Sequence, residues 1–267
     1  MKDHGIITHT HNQSPANGNR HAIVLGGSMA GLLAARVLTD HFDRVTLIER
    51  DSFPDGPESR KGVPQGRHAH ALLAKGREIV SRLFPDLMTD LVKGGATLVD
   101  IGAEARWYHF GGYKVRFQSG MVGPFMSRPF LEWHVRQRVL ALKNLSHIDG
   151  CEVKGLIATE DCRRVTGVRV ERRAGDDGPA TLTADLIVDA TGRGSQSPKW
   201  LETLGYGRPE ENVVKMNAGY TSRIYRRSPE DLHGAKAVFV LPTPPEGKRM
   251  GALFPIEGNR WLVSIGG

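Results

Sequence analysis

Residues 21–31 read His-Ala-Ile-Val-Leu-Gly-Gly-Ser-Met-Ala-Gly, and this stretch decides the fold. Its four apolar residues, 22–25, predict a short strand that is buried on both faces and ends in a glycine turn. Residues 29–40 follow with apolar side chains at helical spacing, and residues 45–48 form a second apolar run. Strand, turn, helix and strand together predict one β-α-β unit with a right-handed crossover.

The glycine turn gives the first indication of chemistry. Gly26, Ser28 and Gly31 match the pattern G-x-G-x-x-G with serine at the second glycine, and Glu49 follows about 20 residues further on. Glycine allows the tight turn and the close approach of helix to sheet, and the N–H groups at the helix amino end can bind a pyrophosphate. A carboxylate at position 49 can accept both ribose hydroxyls of an adenosine and would repel a 2′-phosphate, which favours FAD or NAD over NADP. The alternative is an ordinary β-α turn whose glycines serve packing alone.

Composition excludes several classes of protein. The chain has 267 residues, 39% hydrophobic and 24% charged, which is typical of a folded protein with one large or two modest domains. No apolar run reaches the ~18 residues of a membrane-spanning helix. Cys151 and Cys162 are too few for a disulfide framework or a zinc site and favour a reducing compartment, which we take to be the cytoplasm. The net charge is +7, but the basic residues are scattered, so we expect no nucleic-acid partner.

The later segments separate FAD from NAD. NAD dehydrogenases continue with further β-α repeats, whereas this chain continues with a long loop and an antiparallel insertion. Three strand-like segments then follow at residues 151–159, 165–173 and 180–188. The last of them runs into Leu186-Ile187-Val188-Asp189-Ala190-Thr191-Gly192. A parallel sheet that is interrupted in this way favours a flavin-binding α/β fold.

Three motifs, in the order in which they occur along the chain, resemble those of the class A flavoprotein monooxygenases. These are aromatic-hydroxylase-like FAD enzymes related to the squalene-epoxidase and geranylgeranyl-reductase branches. The motifs are the glycine turn at residues 26–31, the strand end Glu49-Arg50 and the segment 186–192. The resemblance extends from about His21 to the end of the chain. It implies an α/β fold, namely a glutathione-reductase-like FAD-binding Rossmann domain with a three-stranded meander and an inserted antiparallel substrate-domain sheet.

The resemblance also implies a domain organisation. After a flexible tail at residues 1–20, we expect the FAD-binding domain at residues 21–96 and 128–208, and the substrate-domain sheet at residues 97–127 and 209–267. Family members carry a further Gly-Asp motif that binds the flavin ribityl chain, and nothing after Gly192 supplies it. We therefore expect the chain to be C-terminally truncated and its substrate-domain sheet to be incomplete.

The expected cofactor contacts follow from the same resemblance. Gly26, Ser28 and Gly31 would hold the FAD pyrophosphate, and Glu49 the adenosine ribose. The other expected contacts are Arg50 beside the adenine, Arg60 near the phosphate or the flavin, Arg128 at the flavin or its ribityl chain, the backbone of Val153 at the adenine, and Asp189 at the cofactor. For Arg60 and Arg128 the alternative is a solvated arginine. The segment that begins at Asp189 lacks the family's usual Asp-Gly, which leaves the role of Asp189 open.

Two histidines have two interpretations. The position of His68 and His70 resembles a loop near the flavin ring, and the alternative is a pair of solvated histidines at the start of a helix predicted over residues 69–83. Their spacing of two residues does not put them on one helix face, so a metal pair is not expected.

The resemblance implies a function for the intact enzyme. NAD(P)H would reduce the flavin, and O2 would form a flavin C4a-hydroperoxide that hydroxylates or epoxidises an apolar or aromatic small molecule. No catalytic side chain and no metal is assigned, because the cofactor supplies the chemistry. The alternatives are an FAD-dependent reductase of prenyl-type double bonds and a non-catalytic, truncated nucleotide-binding remnant. A halogenase is disfavoured because the sequence has no W-x-W-x-I-P segment.

Overall fold

The fold is described from a computed structural model, which covers residues 19–173, 178–228 and 230–267. Most of the expected tail therefore lies outside the described residues. The α-helices are α1 (Met29–Leu38), α2 (Ala74–Leu83), α3 (Leu87–Lys93), α4 (Arg128–Leu140) and α5 (Ser197–Thr203). The strands are β1 (His21–Leu25), β2 (Arg44–Ile48), β3 (Thr97–Asp100), β4 (Ala105–His109), β5 (Gly112–Tyr113), β6 (Val122–Phe125), β7 (Leu145–Ile148), β8 (Cys151–Ala158), β9 (Val165–Arg172), β10 (Ala180–Thr183), β11 (Leu186–Asp189), β12 (Tyr220–Arg226), β13 (Ala237–Val240), β14 (Met250–Ile256) and β15 (Arg260–Gly266).

A four-stranded parallel sheet contains the predicted β-α-β unit. Its strand order is β11-β1-β2-β7, and β1 pairs in parallel with both β2 and β11. All five residues of β1 are buried, as the apolar run predicts. The α/β fold with a parallel sheet is thus confirmed, and β7 is a strand that the sequence pattern did not indicate.

The two faces of this sheet pack against different layers. Ala22 and Val24 of β1 face a core formed with helices α1 to α4, whereas Ile23 and Leu25 face the strands β8 and β9. This alternation is the two-residue period of a strand, and it explains why the segment reads as a continuous apolar run. Strands β8, β9 and β10 form the predicted antiparallel meander.

A six-stranded sheet in the order β12-β15-β14-β13-β4-β5 combines residues from two distant parts of the chain. Strands β4 and β5 come from the first expected part of the substrate-domain sheet, and β12 to β15 come from the second. Strand β13 joins them by pairing in parallel with β4. A buried cluster of Ala105, Ala237, Phe254, Ile256 and Leu262 lies on this sheet, and β3 pairs with β6 separately.

Three local predictions differ from the structure. Helix α2 begins at Ala74 rather than at residue 69. The run 180–188 is two strands, because β10 closes the meander while β11 enters the parallel sheet beside β1. The alternating pattern of residues 105–118 predicts a hairpin that turns at Gly111 and Gly112, whereas the hairpin between β4 and β5 turns at Phe110 and Gly111. Their φ angles of 52° and 81° are those that a tight two-residue turn requires. Among the described residues, no helix has the length and apolar character needed to span a membrane.

Candidate functional site

The turn between β1 and α1 can be built only with glycine at two positions. Gly26 has a φ of +98°, and a Cβ there would lie 2.7 Å from the carbonyl oxygen of Ala190 in the adjoining segment. A Cβ on Gly31 would lie 1.7 Å from the carbonyl oxygen of Gly26. Since neither backbone can move without separating helix from sheet, both glycines are steric requirements of this turn.

The amino end of α1 is open. Ser28 is the cap residue and has extended backbone angles, but its side chain does not cap the helix, and the first turn carries no acidic residue. The first N–H groups of a helix have no partner within the helix, so they are available to an external acceptor. Ser28 Oγ instead donates a hydrogen bond to Glu132 Oε2 of α4, at 2.7 Å. Glycine, the usual residue at this position of the motif, could not make this bond because it has no side chain.

A buried network of charges lies beside this helix end. Glu49, Arg60 and Glu132 are 7%, 6% and 5% exposed. The guanidinium of Arg60 bridges the two carboxylates, with Nη1 at 3.0 Å from Glu49 Oε2 and Nη2 at 2.6 Å from Glu132 Oε1. Its Nη2 also donates to the carbonyl oxygen of Gly27. Burial alone would lower the pKa of Arg60, but the hydrogen bonds and charges of Glu132 and Glu49 outweigh it and raise that pKa. Arg60 is therefore a charged, buried residue and not a surface arginine.

Arg128, the first residue of α4, also contacts this buried network. Its Nη2 lies 3.3 Å from both Ser28 Oγ and Glu132 Oε2. Its Nε is buried and has no hydrogen-bond partner among the described residues. A buried N–H without an acceptor is rare in native proteins and is destabilising. An anion at the amino end of α1 would supply that acceptor, so these residues fit a nucleotide diphosphate.

The carboxylate of Glu49 faces the glycine turn. Its Oε2 accepts from the N–H of Gly27 at 2.7 Å and from Arg60, and its Oε1 accepts from the N–H of Asp51 at 2.9 Å. A carboxylate has about four acceptor positions, so one position on Oε1 remains for a ribose hydroxyl. The ring of Phe53 lies over Gly27, where a Cβ would come within 2.4 Å of it.

Three predicted residues lie apart from this cluster. The Arg50 side chain is exposed and its Nε lies 3.8 Å from Asp51 Oδ1. Val153 is on β8, whose first residue donates its N–H to the carbonyl oxygen of Glu49. Asp189 ends β11, level with Leu25 of β1. Burial acts to raise the pKa of Asp189, but hydrogen bonds from Ser195, Ser197 and Thr191 outweigh it and hold that pKa below its usual range.

Sequence reasoning missed Glu132 and Arg136, which both lie on the buried face of α4. Arg136 donates to the carbonyl oxygen of Pro54 at 2.6 Å, and its guanidinium lies 5.0 Å from the centre of the Phe53 ring. Burial lowers the pKa of Arg136, and the neighbouring charge of Arg60 adds to this effect. The sequence signal that could have identified Glu132 is its position in the predicted helix at residues 128–142, where a carboxylate four residues after Arg128 faces the core.

A cavity of about 390 Å³ lies between the segment 65–70 and the six-stranded sheet. His68 and His70 both line it and are half-buried, and both precede α2. Because α2 begins at Ala74, neither histidine lies at the start of a helix, and that part of the second interpretation is wrong. Within the described ranges, no group of three or more His, Cys, Asp or Glu side chains could hold a metal ion.

A β-α-β turn with an open helix end, a buried arginine in need of an acceptor and an acid at the end of β2 define a dinucleotide-binding protein. A family model described as FAD dependent oxidoreductase matches residues 22–198. The chain belongs to this family, and the predicted membership of an FAD-dependent enzyme family is confirmed.

A curated protein is similar to most of this chain. Protein Rv3254 of Mycobacterium tuberculosis is 35% identical over 257 residues, which are 94% of this chain and 54% of the relative. The chain thus spans about half the length of that curated relative.

Solved structures share the fold at low sequence identity. PqsL, a probable FAD-dependent monooxygenase from Pseudomonas aeruginosa, has a TM-score of 0.68 at 15% identity, over 92% of this chain and 60% of PqsL. The p-nitrophenol 4-monooxygenase PnpA from Pseudomonas putida has a TM-score of 0.66 at 18% identity, over 94% and 58%. The myxobacterial chondrochloren halogenase CndH has a TM-score of 0.60 at 20% identity, over 93% and 52%. The resemblance to flavoprotein monooxygenases is thereby confirmed for the fold.

Proposed function

We propose that this chain binds FAD with its diphosphate at the amino end of α1, and that it is the FAD-binding part of an NAD(P)H-dependent monooxygenase. The observation that carries the proposal is the buried Nε of Arg128, which has no partner among the described residues and lies beside the open end of α1. A diphosphate would accept from this Nε and from the first N–H groups of the helix, where the helix dipole also favours negative charge.

The buried charges prepare the site for a dianion. Glu132 alone would repel a diphosphate, but Arg60 and Arg128 both contact its carboxylate and balance its charge. Ser28 Oγ donates to Glu132 and accepts from Arg128, so its side chain belongs to the same network. The proposed role of Glu49 is to accept one ribose hydroxyl at Oε1. Arg50 and the backbone of Val153 are proposed to flank the adenine, and Asp189 to contact the cofactor.

Bound FAD would supply hydride acceptance from NAD(P)H and the activation of O2. The residues of this chain bind and orient the cofactor and exclude water from it. The fold shared with PqsL and PnpA supports a monooxygenase that acts on an apolar or aromatic small molecule. The two free cysteines support a reducing, cytoplasmic setting.

The test is a titration of the protein with FAD, followed by flavin absorbance and by quenching of flavin fluorescence. Arg128→Gln should raise the dissociation constant roughly tenfold to a hundredfold, the loss expected for a hydrogen bond to a charged group. Arg138→Gln, on the same helix and paired with Asp90, is the matched control and should leave the constant unchanged. Equal affinity of the two variants for FAD would contradict the assigned site. If the protein retains no flavin absorbance after unbound FAD is removed, the result would favour the non-catalytic remnant.

A second measurement separates the two enzyme classes. A monooxygenase consumes O2 in step with product, whereas a reductase of prenyl-type double bonds forms product without O2. Product formation under strictly anaerobic conditions would therefore overturn the monooxygenase proposal and leave the FAD site intact.

A further inference from the structure

We infer that Glu257, which directly follows β14 of the six-stranded sheet, positions Arg128 for FAD and thereby sets the affinity of the FAD site. The inference rests on the proposed function, because it takes Arg128 as a ligand of the diphosphate. It assigns a role to a residue outside segment 22–198, which the family model matches. Glu257 is a positioning residue, since it acts on Arg128 through Ser127.

The carboxylate of Glu257 holds Ser127 at two points. Its Oε2 accepts from the backbone N–H of Ser127 at 2.9 Å, and its Oε1 accepts from the hydroxyl of the same serine at 2.8 Å. Glu257 is only 7% exposed, and hydrogen bonds to an ionised group are roughly twice as strong as those between neutral groups. The two bonds together fix the backbone and the side-chain rotamer of Ser127.

Ser127 is the cap residue of α4 and immediately precedes Arg128. Its backbone is extended, and its Oγ accepts from the N–H of Phe130 at 3.2 Å. A hydroxyl both donates and accepts, so the bonds to Glu257 and to Phe130 form together. The backbone of Ser127 sets the direction in which α4 begins, and a shift of this residue would move the Arg128 side chain.

The sheet in turn holds Glu257 in place. Glu257 Oε1 also accepts from Arg260 Nη2 at 3.1 Å, and the Glu257 carbonyl oxygen accepts from Arg260 Nε at 3.0 Å. Arg260 pairs with Ile256 where β14 and β15 meet, and it balances the charge of the carboxylate. On the other side, a Cβ on Gly95 would lie 3.4 Å from Glu257 Cβ, so the two backbones pack closely. The carboxylate is therefore a fixed point for the start of α4.

Arg128 depends on this fixed point because its own contacts are weak. Its Nη2 lies 3.3 Å from both Ser28 Oγ and Glu132 Oε2, whereas such bonds are usually about 2.9–3.0 Å long. Its buried Nε has no partner among the described residues. Two long contacts at one end of the guanidinium do not fix its orientation, so the direction of the side chain must come from the backbone that Glu257 holds.

The test begins with FAD titrations of Glu257→Gln, followed by quenching of flavin fluorescence. Glutamine keeps the shape, but its amide nitrogen cannot accept, so one of the two bonds to Ser127 is lost. We expect the dissociation constant for FAD to rise about three- to tenfold, the loss of one hydrogen bond. Glu104→Gln is the matched control, since it removes a carboxylate that pairs with Lys236 beside the same sheet, and it should leave the constant unchanged. An unchanged constant in Glu257→Gln would overturn the inference.

A double-mutant cycle separates positioning from support of the fold. If Glu257 acts through Arg128, then Glu257→Gln should cause no further loss of FAD affinity in a protein that already carries Arg128→Gln. If Glu257 only supports the fold, the two losses should multiply, and that result would overturn the inference. Urea unfolding of the same proteins measures stability separately from FAD affinity.

Ser127→Ala gives a second route to the same answer, because it removes the hydroxyl bond to Glu257. It should also weaken FAD binding, and again cause no further loss beside Arg128→Gln. If Glu257→Gln does not fold, this variant takes its place in the cycle, and a multiplied loss there would overturn the inference.

The outcomes distinguish the two proposals. If the unmodified protein and Arg128→Gln differ in FAD affinity but Glu257→Gln and Ser127→Ala do not differ from the unmodified protein, the proposed function stands and the inference fails. If the unmodified protein binds no FAD, the proposed function fails and the inference fails with it.

Discussion

Replacing Arg60 with methionine should destabilise the protein more than any surface arginine substitution. The guanidinium contacts Glu49 at 3.0 Å, Glu132 at 2.6 Å and the carbonyl oxygen of Gly27 at 3.0 Å, and the residue is 6% exposed. Methionine preserves the apolar stem but leaves two buried carboxylates without their shared counter-charge. Removal of one partner from a buried ion pair typically lowers the free energy of unfolding by about 3–5 kcal/mol. Arg128 still contacts Glu132, so we expect a loss near 3 kcal/mol.

The assay is urea unfolding followed by tryptophan fluorescence. Arg138→Met is the matched control, because Arg138 and its partner Asp90 on the same side of the protein are both partly exposed, at 23% and 42%, and partly exposed pairs contribute much less than buried ones, about 0–1 kcal/mol when fully exposed. The double variant Arg60→Met/Glu132→Gln removes one of the stranded charges and should recover part of the loss. A decrease below 1 kcal/mol for Arg60→Met, or an equal decrease in the control, would refute the view that Arg60 balances a buried network.

Two further predictions concern the turn and the first strand. Gly31→Ala should abolish folding, since its Cβ would lie 1.7 Å from the carbonyl oxygen of Gly26. The control Gly76→Ala in α2 should fold, because its Cβ would meet only the movable end of the Leu72 side chain at 3.2 Å. Circular dichroism measures the helix and strand content of both variants, and a folded Gly31→Ala protein would argue against the tight turn. The second prediction is a pH dependence. Burial lowers the pKa of His21, and the charge of Arg44 adds to this. Because the unfolded chain then binds the proton more readily, stability is fully present above about pH 6.5 and is lost as pH falls through the folded pKa. The stability advantage of the wild type over His21→Gln should therefore shrink between about pH 8 and pH 5 in urea unfolding; a constant difference would contradict it.

The β-α-β unit and the meander could be predicted because each is specified locally. An apolar run before a glycine turn, and a helical pattern after it, are decided by neighbours in sequence. Strand β7 escaped prediction because half of its four residues are polar and exposed, and its place beside β2 is a tertiary contact. The division of residues 180–188 into two strands is likewise set by the sheets that receive them, since β10 pairs with β9 and β11 with β1.

Spacing along the chain relates only the glycines and Glu49, which belong to one local motif. Arg60 and Arg128 were expected from the family resemblance, and both lie beside that motif. Glu132 contacts Ser28 and Arg60, but it is separated from them by about a hundred and about seventy residues. No local pattern relates these three positions. The cavity histidines illustrate the same limit, because Ser222, which contacts His68 Nδ1, lies on β12, far along the chain.

The parallel pairing of β4 with β13 has a consequence for biosynthesis. Ala105 of β4 aligns with Ala237 of β13, and at about 5–20 residues per second a ribosome needs roughly 7–26 s to make the chain between them. During that interval the nascent β4–β5 hairpin exposes an unpaired backbone edge that can pair with other chains. The parallel sheet receives its last strand, β11, about fifty residues before β13 is made. Nascent protein should therefore complete its parallel sheet first, and chaperone capture should be concentrated on chains whose growing end lies between β5 and β13.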